Sequence, residues 1–140
     1  MTSEQKFREI EHSADIAIEV YGKDLSELFE NALEGLLFLS LQNREKSEDS
    51  REKKIELEAS SPEELLVDFL NKIIFLINVE DTVPVDGRVS VKDNKLEAKL
   101  EIQKEGTQDN IKQEIKAATY HKLDLKRTGG EFKIEVFFDT

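Results

Sequence analysis

The chain has 140 residues, 38% of them hydrophobic, which is enough to build one globular domain without covalent cross-links. Acidic residues outnumber basic ones by 31 to 20, and the net charge of −11 argues against independent nucleic-acid binding, because such a surface repels a phosphate backbone. The absence of cysteine excludes disulfide bonds, thiol catalysis and thiolate zinc sites.

The first part of the chain predicts a strand and then a helix. Residues 7–21 are interpreted as extended, and the alternation of apolar and more polar residues from Ile16 onward predicts that one face is buried. Asp24 and Glu27 have the spacing of a helix capping box, and apolar residues at helical intervals continue to about Leu41. The pattern is typical of an amphipathic helix that packs on a core.

The next segment, residues 42–54, is almost entirely polar and carries charges of both signs. It is interpreted as a solvated, mobile connection in which no chemistry is expected. From Ile55, apolar residues alternate with glutamates, which predicts a half-buried strand.

A second helix is predicted from Ser61 as N-cap and Pro62 as first helical residue. Glu64 completes a capping box with Ser61. The helix is apolar over more than half of its circumference, which predicts a central position. Its polar residues Asp68 and Asn71 are assigned to the solvent-exposed surface.

The last part of the chain is dominated by predicted strands. Residues 83–92 and 96–103 flank an Asp93–Asn94 turn. Residues 111–126 alternate in their second half, and a Thr-Gly-Gly turn precedes the last strand, which ends near Phe138.

The order β-α-β-α-β-β-β-β does not alternate as in a doubly wound fold. It predicts an α+β fold in which a mainly antiparallel sheet is covered by two helices, as a single domain over residues 1–140. The N-terminus lacks the apolar core of a signal peptide, and no apolar stretch approaches the length of a membrane span. We therefore expect a soluble, cytoplasmic protein.

Two aspartates occupy unusual positions at the ends of apolar strands. Asp15 directly precedes Ile16, and Asp139 directly follows Phe138. A carboxylate at the end of a buried run needs hydrogen-bond donors or a cation, because an unpaired charge away from water is costly. If the two strand ends meet, these aspartates could hold a metal ion. The residues alone leave both interpretations open, hydrogen bonding and metal binding.

The residue types at this predicted corner favour calcium, magnesium or manganese over softer metals, because the donors are oxygens and no thiol is present. Two aspartates cannot complete such a shell, so the C-terminal carboxylate of Thr140, backbone carbonyls or waters would have to contribute. His12 lies three residues before Asp15, close enough to orient its carboxylate. His121 falls on an alternating apolar face, where a histidine is more often a satisfied core residue than a ligand.

No enzymatic motif accompanies these residues. Neither histidine has a serine nucleophile in a recognisable motif, and none of the six glycines forms a phosphate-binding loop. Hydrolysis of a phosphoester by the protein itself would require an additional well-placed acid.

Several segments resemble the motifs of the archease family. Residues 11–16 (EHSADI) are similar to its opening EHTADIG motif, residues 65–71 (LLVDFLN) to LLVDWLN, residues 116–121 (KAATYH) to KAVTYH, and residues 138–140 (FDT) to its terminal aspartate motif. The resemblance spans essentially the whole chain, in the same order. The family often carries an aspartate where Gln42–Asn43 stands here, and its Gly-Glu segment is represented only by the reversed Glu105–Gly106.

The resemblance implies a non-enzymatic function. Archeases are accessory proteins of the tRNA-splicing RNA ligase, which joins 2′,3′-cyclic phosphate or 3′-phosphate ends to a 5′-hydroxyl. They promote guanylylation of the ligase's active-site histidine. The family resemblance assigns metal binding to Asp15 and Asp139, and it implies the ligase as protein partner. An alternative suggested for the family is a chaperone-like adaptor for a tRNA-modifying enzyme such as a methyltransferase.

Overall fold

The computed structural model describes residues 5–11, 16–46, 48–104 and 107–140. For residues 11, 107 and 108 it describes only the backbone. The described chain forms two antiparallel sheets and two long helices. The elements are β1 Phe7–Glu11, β2 Ile16–Gly22, α1 Leu25–Ser40, β3 Arg51–Glu58, α2 Pro62–Asn78, β4 Val83–Lys92, β5 Lys95–Gln103, α3 Thr107–Asn110, β6 Ala117–Ala118, β7 Lys126–Thr128 and β8 Glu131–Asp139. The predicted α+β class is confirmed.

The two sheets have different strand orders. One has the order β1-β2-β8-β6, with β7 also pairing with β8, and the other has the order β3-β5-β4. Helix α1 packs against strands of both sheets, chiefly β2 and β4, and α2 contacts β6, β3 and β4. The helices therefore connect two separate sheets, where the sequence predicted one.

Both long helices begin at the predicted caps. The backbone N–H of Glu27 donates to Asp24 Oδ1 at 2.8 Å, and that of Glu64 donates to Ser61 Oγ at 3.2 Å. Pro62 occupies the first turn of α2, where its missing N–H costs no helical hydrogen bond. Local sequence signals were sufficient to predict both helix starts.

Helix α2 lies at the centre of the core, as its apolar circumference predicted. Nine of its residues are buried, among them Phe69, whose ring stacks on Phe29 of α1 with centroids 6.2 Å apart. Helix α1 also protects an edge of the second sheet. Its Glu30 accepts a hydrogen bond from the N–H of Val89 at 2.8 Å, which occupies a donor of the edge strand β4.

Several predictions about the strands and about the polar connection need correction. The described parts of residues 7–21 form two antiparallel strands, not one. Strand β2 is buried on both faces, and even Glu19 is only 7% exposed, because side chains of the neighbouring strands, such as Arg8 of β1 and Lys133 of β8, lie over it. The strand predicted from Ile55 already begins at Arg51, and Arg44 in the polar connection forms a bidentate ion pair with Glu34. The cross-strand pairing with β5 is the reason for the longer strand.

The predicted hairpin at Asp93–Asn94 is confirmed. Both residues have positive φ, 52° and 60°, as a two-residue turn between twisted strands requires.

Within the described residues, no helix is both long enough and apolar enough to cross a membrane.

Candidate functional site

Asp139 and Thr140, the described residues of the predicted corner, lie at the end of β8. Asp139 is the last residue of this strand, and both Asp139 and Thr140 are exposed to solvent. Phe138, which precedes Asp139, lies opposite Ile16 at the start of β2. Asp15 and His12 lie outside the described residues, so the predicted meeting of Asp15 with Asp139 stays a prediction.

The main chain of Asp139 is held by the short strand β6. Asp139 lies opposite Ala117, and its carbonyl accepts a hydrogen bond from the N–H of Lys116 at 2.8 Å. One residue pair further on, Ala118 lies opposite Phe138. The segment similar to the family's KAVTYH motif therefore pairs directly with the terminal aspartate segment.

His121 packs on the same side of β8 as Asp139. Its ring meets the ring of Phe137 edge to face, with centroids 5.2 Å apart and planes at 82°. Phe137 and Asp139 are two residues apart on one strand, so their side chains emerge on the same face. His121 itself is exposed and lies in a turn beside Lys122, whose φ is 49°. The interpretation of this region as an alternating strand is wrong at His121, because the chain turns there.

Helix α2 contacts this region through two of its polar residues, Asn71 and Asp68. Asn71 Oδ1 accepts from the N–H of Ala118 at 2.8 Å, while its Nδ2 donates to the carbonyl of Ala118 at 3.2 Å. The hydroxyl of Tyr120 donates to Asp68 Oδ1 at 2.9 Å, and this bond raises the pKa of Tyr120. Assigning Asp68 and Asn71 to solvent exposure alone was therefore wrong.

The sequence contained a signal for these contacts. Asp68 and Asn71 are three residues apart and lie on one side of the helix. Asparagine at the border of a long apolar face is well suited to pair with a backbone edge, because its amide both donates and accepts.

Strand β2 carries a buried carboxylate, Glu19, that is paired with exposed basic side chains. Glu19 accepts a hydrogen bond from the hydroxyl of Tyr21, and it forms ion pairs with Arg8 at 3.2 Å and Lys133 at 3.8 Å. The bond from Tyr21, with the charges of Lys133 and Arg8, holds the pKa of the Glu19 carboxyl below its usual value despite the opposing effect of burial. Glu19 is therefore a stable anion in β2.

The donor chemistry of the corner fits a hard divalent cation. Asp139 and Thr140 are exposed and carry oxygen donors, and the chain contains no sulfur ligand from cysteine. Within the part of the chain that is described, no three or more His, Asp or Glu side chains are grouped so that they could hold a metal. A complete shell would therefore need Asp15, main-chain oxygens or waters.

The two departures from the family motifs have different positions. Gln42 and Asn43 pair with the short α3 segment: the N–H of Gln42 donates to the carbonyl of Asn110 at 2.9 Å, and the N–H of Asn43 donates to Asn110 Oδ1 at 2.7 Å. They thus have a structural role at the end of α1. Residues 105–106 lie outside the described chain.

The family model described as the Archease protein family matches residues 7–140. Proteins described as archease include one from Methanosarcina barkeri, 31% identical with 99% of each chain covered, and one from Pyrococcus furiosus, 36% identical with 88% of this chain and 89% of that protein covered. The crystal structure of "an archease, possible chaperone" from Thermotoga maritima has a TM-score of 0.67, with 32% identity over 99% of this chain and 100% of that one. A solution structure from Methanobacterium thermoautotrophicum gives a TM-score of 0.69 at 25% identity, over 96% and 98%.

Proposed function

Because the chain belongs to the archease family, we propose that it is a non-catalytic protein cofactor that activates the tRNA-splicing RNA ligase by promoting guanylylation of the ligase's active-site histidine. Its functional part is the corner formed by Asp15, Asp139 and the C-terminal carboxylate of Thr140, which hold a divalent cation. His12 and His121 orient these carboxylates. We place this activity in the cytoplasm.

The observation that carries the proposal is the register of β2 against β8. Ile16 lies opposite Phe138, and in sequence Asp15 precedes the first of these residues while Asp139 follows the second. Consecutive Cα atoms are about 3.8 Å apart, so covalent connectivity alone ties each aspartate to one member of a paired position. The exposure of Asp139 and Thr140 leaves this corner accessible to a partner protein.

The chemistry of guanylylation gives such a corner a purpose. Transfer of GMP from GTP to histidine forms a bond between nitrogen and the α-phosphorus, releases pyrophosphate and develops negative charge on that leaving group; a divalent cation would neutralise this charge when bound. The residues of this chain bind the cation, orient its carboxylate ligands and bring it to the ligase's nucleotide site on docking. The net charge of −11 favours association with a basic, RNA-binding enzyme rather than with RNA itself.

A guanylylation assay with purified ligase tests this function. Asp139→Ala and Asp15→Ala should each abolish most of the stimulation that the wild-type protein gives. Asp49→Ala is the matched control, because Asp49 is an exposed aspartate in the connection before β3, and it should stimulate fully. Full stimulation by either corner variant would refute the proposal.

A second candidate is a chaperone-like adaptor for a tRNA-modifying enzyme such as a methyltransferase. The related archease from Thermotoga maritima is described as a possible chaperone, which favours this candidate. Capture of partners from cell extract distinguishes the two functions: enrichment of the RNA ligase supports the first, and enrichment of a methyltransferase without the ligase supports the second.

A further inference from the structure

Strand β6 is only two residues long, yet within the described chain it is the strand that lies opposite Asp139. The residues on either side of β6 also donate hydrogen bonds to β8. The N–H of Lys116 donates to the carbonyl of Asp139 at 2.8 Å, and the N–H of Thr119 donates to the carbonyl of Phe137 at 2.9 Å. So short a strand has little stability of its own. The contact that holds the other edge of β6 therefore also determines how firmly the last residues of β8 are held in the sheet.

The other edge of β6 is closed by a side chain. The N–H and C=O of Ala118 both face α2, where the amide of Asn71 accepts from one at 2.8 Å and donates to the other at 3.2 Å. A primary amide carries the same donor and acceptor as a peptide group, so Asn71 takes the place of one residue of a further strand. Ala118 is 4% exposed, and water cannot readily replace this partner.

We propose that Asn71 is a positioning residue for the Asp139 carboxylate: by clamping Ala118 it fixes β6, and β6 fixes the main chain from which Asp139 projects. This inference rests on the proposed metal-binding function of Asp139. The clamp acts through two successive contacts, Asn71 to Ala118 and the β6 segment to Asp139, and Asn71 itself binds no metal.

A purely structural role for Asn71 makes a different prediction. In that case, substitution of Asn71 would lower the overall stability of the protein and leave its affinity for a cation unchanged. Asn31 of α1 provides the matched control, because its Nδ2 also donates to a main-chain carbonyl, that of Tyr21 at 2.7 Å, and Tyr21 lies opposite Lys133, away from Asp139 in β8. Asn31→Ala removes a helix-to-strand hydrogen bond without removing the clamp.

The experiment titrates Mn²⁺ into the wild-type protein and into both alanine variants by calorimetry, and it follows amide hydrogen exchange of Lys116 and Thr119 by NMR. Asn71→Ala should weaken Mn²⁺ binding about tenfold, as loss of a residue that orients a ligand does. It should also exchange these two amides about tenfold faster, since their bonds to β8 lose support. Asn31→Ala should change the affinity less than twofold.

Asn71→Asp tests the direction in which the affinity for the cation changes. The carboxylate keeps the acceptor for the Ala118 N–H but cannot donate to its carbonyl. Its extra negative charge would strengthen cation binding if only electrostatics mattered. Positioning predicts weaker binding instead.

The outcomes separate the inference from the proposed function. Wild-type protein that binds no Mn²⁺ would sink the metal-binding function, and the exchange data would then decide whether Asn71 holds β6 to β8. Wild-type binding with equal affinity in Asn71→Ala, or unchanged protection of Lys116 and Thr119 in that variant, overturns the inference alone.

Discussion

Removing the hydroxyl of Tyr21 should destabilise the protein in a pH-dependent way. Tyr21→Phe deletes the bond that contributes most to the lowered pKa of Glu19. Glu19 is 7% exposed, so its carboxylate depends on protein partners for the solvation that water would otherwise supply. Its two other partners are less effective because the side chains of Arg8 and Lys133 are 59% and 45% exposed.

The magnitude follows from these exposures. A hydrogen bond to a charged group contributes about 1.5–3 kcal/mol, and the half-buried position of Tyr21 favours the lower end. For a chain of this size a loss of about 1.5 kcal/mol lowers Tm by roughly 5 °C. The partly solvated ion pairs to Arg8 and Lys133 should each contribute below about 1 kcal/mol and cannot replace the lost bond.

The sign of the pH dependence is fixed by the direction of the shift. Because the pKa of Glu19 is lower in the folded protein than in the unfolded chain, its contribution is present above the unfolded pKa and is lost as pH falls through the folded pKa. Tyr21→Phe brings the folded pKa closer to the usual value. The stability difference between wild type and variant should therefore be largest near neutral pH and shrink in the acidic range below the usual glutamate pKa.

Thermal unfolding followed by circular dichroism between neutral and acidic pH measures this difference. Tyr120→Phe is the control. The hydroxyl of Tyr120 also donates to a carboxylate, that of Asp68, but Tyr120 is 55% exposed. We expect it to cost less than about 0.5 kcal/mol. Equal effects of the two substitutions, or a Tyr21→Phe deficit that is unchanged at acidic pH, would refute the reasoning.

Three further substitutions test the packing. Phe69→Ala should lower the free energy of unfolding by about 3–5 kcal/mol, because it leaves a cavity next to Phe29 in the centre of the core. The control Phe75→Ala, on the exposed side of α2, should lower it by less than about 1 kcal/mol. Chemical denaturation measures both values. Gly22→Ala should destabilise by at least about 2 kcal/mol, because the added Cβ would lie 2.6 Å from the Cα of Leu28, and a variant as stable as wild type would contradict the backbone approach seen here.

The parts of the fold that were predictable are those determined by neighbouring residues. The caps at Asp24 and Ser61 and the turn at Asp93–Asn94 are short-range chemistry, and each occurs where the sequence placed it. The division into two sheets was not predictable, because α1 and α2 contact both and apolar periodicity does not reveal which strand packs on which. Burial of Glu19 was missed for the same reason, since flanking strands and side chains cover it.

The candidate site was predictable in part. The position of Asp139 at the end of β8 agrees with the sequence, and the pairing of Phe138 with Ile16 relates the two strands that were expected to meet. The roles of Asn71 and Asp68 depend on contacts across about 50 residues of chain. The spacing of Asp68 and Asn71 on one side of α2 was a signal that the two act together, but it did not show which distant segment they would contact.

Paramagnetic broadening of amide NMR signals by Mn²⁺ tests the central claim most directly. If Asp15 and Asp139 hold a cation, substoichiometric Mn²⁺ should broaden the signals nearest the corner first, including Ile16 and Phe138, and Asp139→Asn should abolish this effect. The row formed across three strands by Glu52, Glu101 and Asp86 offers a competing concentration of negative charge. Broadening that begins at this row, or that persists at Ile16 and Phe138 in Asp139→Asn, would contradict the account.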